Sequence, residues 1–425
     1  MATITVGTGE QYSTISAAVA ASHGGDTINV DAGTYTNDVI NISHSLTLQA
    51  VGGTVRLVGT AQPANGKGLI DEGGAGVNVA ITGFDISGAT VKDENGAGIR
   101  YEGGTLTLSN VNIHNNQNGI LANPDPNGSI TIANSTFANN GIGDGRTHNI
   151  YVGAIGSLTV KNSTITSAQV GHDIKSRAAS TTITGNTITD GATGTASYEI
   201  DLTNGGVGDI ENNFIEKGAN AQNPIAITFG EEGNVYANSS LTVRNNTIVT
   251  NYTAHNSTAV VNKTGATASI SGNQLYGWTT VASGPANVGG NATLASEPKP
   301  GSAAPASAAP APAAPPPDAS AAITPDTVAT GPASPTFMAD ASASDPQNPA
   351  DGPAPPPAPD MASEVLASYA DAAPPTTAVQ ADEPAPADIY IGSQDPSQGL
   401  ASPMIDAGQN AAAHVTDHGG CATSS

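Results

Sequence analysis

One six-residue motif returns along this chain at nearly regular intervals, and it limits the fold more than any other feature. LSNVNI (108–113), IANSTF (132–137), VKNSTI (160–165), ITGNTI (183–188), IENNFI (210–215), VRNNTI (243–248) and ISGNQL (270–275) share one pattern. It reads apolar, any residue, Asn or Gly, small or polar, any residue, apolar, and ITGFDI (81–86) is an earlier copy. The closing apolar residues fall at 86, 113, 137, 165, 188, 215, 248 and 275, so the spacing runs from 23 to 33 residues. Such a period in a sequence rich in Ile, Val, Thr and Asn signals a solenoid of strands. Leucine-rich repeats are excluded by the missing leucines, and a propeller blade needs about 40 residues. The pattern predicts an all-β parallel β-helix, one coil per repeat, with coils about 4.8 Å apart. The recurring Asn suits a tight corner, because it tolerates the left-handed conformation and its amide can bond to the next coil.

The repeats stop near residue 292. Of 29 prolines, 24 lie beyond that point, where 15 acidic residues face one lysine, Lys299. Stretches such as APASAAPAPAAPPPDASAA offer too little apolar surface to offset chain entropy. The chain therefore divides into a β-helix domain over 1–292 and a disordered acidic Pro/Ala-rich tail over 293–425. SEVLASYADAA (363–373) is the tail's one candidate for a transient helix or docking peptide, and the single cysteine, Cys421, lies near its end. At the start, YSTISAAVAASHGGDTINV predicts a capping helix with Ser13 as N-cap, Ile15, Ala18 and Val19 on its apolar face, and Gly24–Gly25 as the stop. A formal charge of −24 argues against nucleic acid and anionic membranes as partners. No apolar run is long enough for a transmembrane helix, and the N-terminus lacks the pattern of a Sec signal peptide. The expected setting is nonetheless extracellular or at the cell surface, with a polysaccharide or cell-surface glycan as partner; the sequence leaves the oligomeric state open.

YSTISAAVAASHGGDTINVDAGTY followed by Asn-rich coils resembles the right-handed parallel β-helix superfamily of pectin-lyase-like proteins. More narrowly, HNIYVG (148–153), GHDIKSRA (171–178), SYEIDL (197–202) and FGEEG (229–233) resemble an uncharacterised bacterial branch of β-helix repeat proteins. The resemblance spans about residues 3–290. It implies a right-handed β-helix but no one reaction, since the superfamily includes lyases, hydrolases, epimerases, tailspikes and adhesins.

A second strand recurs in each coil. Its central aliphatic residues, Ile99, Ile120, Ile150, Ile174, Ile200, Ile227 and Val260, are expected to stack inward. Strand alternation then sends the flanking residues outward. One outward column contains Asn149, Asp173 and Glu199, the next Tyr151, Lys175 and Asp201, and a third Arg177 and Lys263. His148 and His172 precede the strand in successive coils and are expected to stack at its corner, and the loop GIGDGRTHN with Arg146 borders the same face. Only 12 of 425 residues are Lys or Arg, so Lys175 and Arg177 in one octapeptide stand out.

Two accounts of this patch remain open. It is a solvated ion-pair cluster, or it is a site in which Asp173 stacked on Glu199 requires a cation, a proton or Arg177 to offset like-charge repulsion. As a uronate lyase, Lys175 and Arg177 would clamp the sugar carboxylate while His172 or Tyr151 moves the proton, with Glu199 and Asp201 completing the catalytic set. His148, Asn149, Asp173 and Arg146 would bind substrate. A hydrolase would instead use Asp173, Glu199 and Asp201. Ca2+ bridging those three carboxylates is a further reading, although no calcium-loop motif supports it. The Asn-Thr-Asp, Asp-Asp and Gly-His-Gly signatures of polygalacturonases and the Asp-Pro-His-Glu signature of alginate epimerases are absent. A non-catalytic scaffold or adhesin is the alternative to an enzyme. Glu231–Glu232 is expected in a solvated turn, and Trp278 against the C-terminal end of the stack.

Overall fold

The computed structural model describes residues 1–233, 236–253 and 256–301. A representative coil has three strands, Thr105–Ser109, Asn112–His114 and Asn118–Ala122. Each pairs in parallel with its counterpart one repeat later: Leu106 with Ile130, Ile113 with Phe137, and Ile120 with Ile150. Repeated along the chain, this pairing makes a parallel β-helix. The third strands form a ten-stranded sheet from Ile40–Ile42 to Thr280–Ser283, and the other two strands of each coil belong to a 21-stranded sheet.

The expected inward column is in register. Ile99, Ile120, Ile150, Ile174, Ile200, Ile227 and Val260 are Cα partners from coil to coil, and all are fully buried. Burying each such side chain contributes about 1.5–3 kcal/mol, so the column is a principal source of cohesion.

The corner motif performs two tasks with two adjacent residues. Asn110, Asn134, Asn162, Gly185, Asn212, Asn245 and Gly272 take the left-handed conformation, with φ from 50° to 68°. From Ser135 onward, the residue after each carries the ladder. Asn186 N–H donates to Asn213 Oδ1 at 2.8 Å, Asn213 N–H to Asn246 Oδ1 at 2.9 Å, and Asn246 N–H to Asn273 Oδ1 at 2.9 Å. Earlier coils use serine: Ser135 N–H donates to Ser163 Oγ at 3.1 Å. The ladder satisfies backbone donors that a buried corner would otherwise leave unpaired.

At the entrance, the helix Ile15–Ala21 buries Ile15, Ala18 and Val19, as expected. Its N-cap is Thr14 rather than Ser13: Thr14 Oγ1 accepts from Ala17 N–H at 3.3 Å, and Asp38 Oδ2 accepts from Ile15 N–H at 2.6 Å. The carboxylate of Asp38 thus replaces the local serine as the second partner for the exposed helix donors. At the far end, Leu294 N–H donates to Leu275 O at 2.8 Å, and Trp278 Nε1 donates to Ile248 O at 3.1 Å while packing on the core. The expected disordered tail lies outside the described residues beyond 301, as do SEVLASYADAA and Cys421. Among the described residues, no helix is long and apolar enough to cross a membrane.

Candidate functional site

The outward column of the ten-stranded sheet runs Arg100, Leu121, Tyr151, Lys175, Asp201 and Thr228, in register on successive coils. Beside it, the rings of His148, His172 and Tyr198 meet in tilted contacts at the strand entrance. The His148 and His172 rings are 4.8 Å apart, His172 and Tyr198 are 5.1 Å apart, and His148 stacks on Tyr151 at 5.5 Å. His148 Nδ1 accepts from His172 N–H at 2.9 Å, so the proton of a neutral His148 sits on Nε2. Burial, joined by the charge of Lys175, holds both imidazoles neutral, well below the usual histidine range.

Lys175 and Arg177 converge on one carboxylate. Lys175 Nζ lies 2.8 Å from Glu232 Oε1, and Arg177 Nε donates to Glu232 Oε2 at 2.9 Å, with a second guanidinium nitrogen on the same oxygen. Arg177 also donates to the Tyr151 hydroxyl and lies 5.0 Å from that ring's centroid. Next to this pair, Lys263 Nζ donates to Glu231 Oε1 at 2.5 Å, and Thr228 Oγ1 donates to Glu231 Oε2 at 3.1 Å. Glu231 and Glu232, expected to be solvated, are therefore the anionic half of the patch. The two cations hold the Glu232 carboxyl below its usual range against the opposing effect of burial.

The turn carrying these glutamates covers the patch, leaving Lys175 4% and Asp201 1% exposed. Asp201 Oδ2 is 3.5 Å from His172 Nε2. Burial pushes the Asp201 carboxyl up to about 8, despite Lys175 beside it. An open depression of about 510 Å3 elsewhere is lined by Phe84, Asp85, Asn112 and Thr136 of the other sheet. It brings none of the candidate groups together.

The first outward column departs from expectation. Asn149, Asp173 and Glu199 are fully buried and occupy the corner before the strand. The extended segment begins only at Ile174 in this coil and at Ile200 in the next, so alternation does not extend back to residues 173 and 199. Asp173 Oδ1 accepts from Asn149 Nδ2 at 2.7 Å and from Ala168 N–H at 3.3 Å, and Asn149 Oδ1 in turn accepts from Asn140 Nδ2 at 2.8 Å, a second ladder at the corner before the third strand. Glu199 Oε1 lies 3.3 Å from Lys217 Nζ, which also donates to Ala196 O at 3.1 Å and Ser197 O at 2.5 Å. Asp190 joins this corner, accepting from Ala196 N–H at 2.9 Å and Gly218 N–H at 3.1 Å. Burial raises the carboxyls of Asp173, Asp190 and Glu199, and Lys217 partly opposes each rise. The like-charge stack is thus offset by a buried lysine and by protons.

This partition separates the three carboxylates assigned to a hydrolase pair or a bridging calcium: Asp201 lies beside Lys175 and His172, whereas Glu199 pairs with Lys217 and Asp173 bonds to Asn149. No cluster of three or more candidate metal-ligand side chains occurs among the described residues. Arg146 is exposed and donates its backbone N–H to Asp144 Oδ1 at 3.0 Å. The patch therefore consists of Tyr151, His148, His172, Lys175, Arg177, Asp201 and the two glutamates.

Comparison with solved structures returns an alginate lyase from Paenibacillus sp. str. FPU-7 and a GH136 lacto-N-biosidase from Eubacterium ramulus. The first is 18% identical, with a TM-score of 0.48 over 67% of this chain and 99% of that chain. The second is 11% identical, with a TM-score of 0.41 over 69% of this chain and 68% of that chain. At these values neither carries a reaction to this protein. No protein-family profile matches the chain, and neither does any curated protein.

Proposed function

We propose that this protein is a carbohydrate-active β-helix protein, a lyase that acts on an acidic, uronate-containing polysaccharide outside the cell. The observation that carries the reading is the convergence of Lys175 and Arg177 on a single carboxylate, beside a phenol and a neutral imidazole. A planar guanidinium and an ammonium on one carboxylate form the clamp needed to neutralise a uronate. With its carboxylate neutralised, the sugar's α-carbon proton becomes acidic enough to transfer to a base.

In this reading His172 takes that proton, with the Asp201 carboxyl 3.5 Å from its Nε2. The C–H electron pair becomes the new C=C bond, and the bond to the glycosidic oxygen breaks. Tyr151 gives its hydroxyl proton to that leaving oxygen; because its oxygen accepts from Arg177, its own proton remains available for donation. Lys175 and Arg177 hold the carboxylate throughout. Incubation with a panel of uronate polysaccharides tests the proposal through the ultraviolet absorbance of the unsaturated product. Turnover by the wild type, lost in folded Lys175→Ala and Tyr151→Phe, is expected; silence of the folded wild type on every polymer overturns the lyase.

A non-catalytic polysaccharide-binding scaffold is the second reading. It is favoured by one observation, the saturation of both cations by the chain's own Glu232. Glycan binding without turnover distinguishes it.

A further inference from the structure

Glu232 does not approach the clamp by accident of a loose loop. The backbone of its turn is fixed to the preceding coil: Gly230 N–H donates to Leu202 O and Glu232 N–H to Thr203 O, each at 2.9 Å. A reverse-turn bond from Gly233 N–H to Gly230 O at 3.2 Å closes the loop. Glu231, next in sequence, is held by a different cation, Lys263, and by Thr228. Each glutamate thus has its own partner, and the one on Lys175 and Arg177 is bound through both of its oxygens. That is the arrangement a carboxylate ligand would adopt, supplied here by the chain.

We propose that Glu232 is a tethered stand-in for the ligand's carboxylate, which the ligand must displace before it can occupy the Lys175–Arg177 clamp. The inference rests on the reading of that clamp as a uronate-binding site. Displacement requires only that the Glu232 side chain rotate, since the backbone bonds of the turn do not involve it. The side chain is already 22% exposed, so the released carboxylate passes directly into water.

The device selects ligands by exchange. A neutral sugar brings nothing to replace Glu232 on two cations, one of them the buried Lys175, and leaves it in place. A uronate restores the same charge and the same hydrogen bonds, so its binding exchanges one carboxylate for another. The cost is a reduced apparent affinity, because only the fraction of molecules with Glu232 withdrawn is competent to bind. A glutamate that occupies the clamp ten times more often than not lowers apparent affinity by about tenfold.

The test uses the full chain and isothermal titration with trimers of galacturonate, glucuronate, mannuronate and guluronate, and with a neutral hexose trimer. Wild type, Glu232→Gln, Glu232→Ala and the neighbouring control Glu231→Gln are compared, each checked for a cooperative melt. The expected result is that one or more uronate trimers bind both Glu232 variants at least about tenfold more tightly than wild type, while Glu231→Gln and the neutral trimer show no such gain. Equal affinity in wild type and both variants overturns the tethered stand-in and leaves the clamp intact. Weaker binding in the variants also overturns it, since Glu232 would then be assisting the ligand. If no uronate trimer binds any folded protein, the clamp reading falls, and this inference falls with it.

Discussion

Replacing Lys217 by Met tests the division between the buried corner and the outer wall. Methionine keeps the apolar stem and removes the ammonium, so packing is little changed. The ammonium is fully buried, lies 3.3 Å from Glu199 Oε1, and donates to Ala196 O and Ser197 O. Its loss leaves Glu199 without its cation, with Asp173 and Asp190 nearby as further acidic groups. Breaking a buried pair by removing one partner costs about 3–5 kcal/mol, and at roughly 2–4 °C per kcal/mol the melting temperature falls by about 10 °C.

Adding Glu199→Gln removes the charge that needed compensation, so the double variant is expected to regain about 2–3 kcal/mol, the coupling characteristic of contacting charges. The pH dependence has a definite sign. The corner carboxyls are raised in the folded state, so the native protein holds protons that the unfolded chain has released, and stability falls as pH rises above the unfolded carboxyl range. Without Lys217 these carboxyls rise further, so the penalty of Lys217→Met is smaller at pH 5 than at pH 8. Thermal melts of the four proteins of the cycle at both pH values read all of this. If the double variant melts no higher than Lys217→Met, or the penalty is the same at both pH values, Lys217 does not compensate these carboxyls. The folded double variant is also expected to bind uronate trimers as the wild type does, because Glu199 faces away from the clamp.

Glu72 makes a second pH-linked prediction. It occupies an inward position in register with Tyr101, is fully buried, and has no hydrogen-bond partner for either oxygen. Burial, then Asp71 and Glu102, push its carboxyl from 4.5 up to about 9, so its contribution to stability is lost as pH rises through that window at about 1.4 kcal/mol per unit. Glu72→Gln is expected to flatten this slope in denaturant midpoints from pH 5 to 8; parallel curves for the two proteins would refute the assignment. The corner pair Asn212 and Asn213 gives a structural contrast. Asn212 is exposed at φ 58°, so Asn212→Gly should change stability by no more than about 0.5 kcal/mol. Asn213→Gly, which removes bonds to Asn186, Ile183 and Asn246, should cost about 2–4 kcal/mol. Equal melting temperatures for the two variants would mean that the ladder contributes nothing.

The repeat made the architecture readable because one physical constraint, a buried aliphatic at a fixed place in every coil, was written many times over. The register of Ile150, Ile174 and Ile200 followed from that repetition, and with it the alignment of Tyr151, Lys175 and Asp201. Alternation failed along the whole column: Asn149, Asp173 and Glu199 precede their strands, and Ala226 and Ala259, inside theirs, are fully buried as well. The inward column itself gave no sign of where each strand begins. The cations and anions that finish the two networks come from farther away. Lys217 reaches Glu199 from a strand of the other sheet, and Glu232 reaches Arg177 across 55 residues of sequence. Each looks like an ordinary solvated charge in the sequence. The available signal was numerical: a chain with few basic residues leaves few partners for buried carboxylates, and Lys217 is one of them.

The same geometry explains why the polar side chains of the proposed site gather on the third strand of the coil. Inward positions are taken by aliphatics whose burial holds the stack together, and corner positions by residues that must satisfy backbone donors. Changing either kind of position costs stability directly. Outward positions carry neither duty, so successive coils can present unrelated side chains about 4.8 Å apart on a rigid wall. On this wall Lys175 and Arg177 are already paired with Glu232, and Lys263 with Glu231. A ligand proposed to bind there meets cations that already hold carboxylates, so little of its binding comes from unpaired charge. What remains is local substitution at the clamp, which favours a ligand with a carboxylate on a rigid ring over one with charge spread along a flexible chain, because the ring loses less freedom in matching two fixed donors.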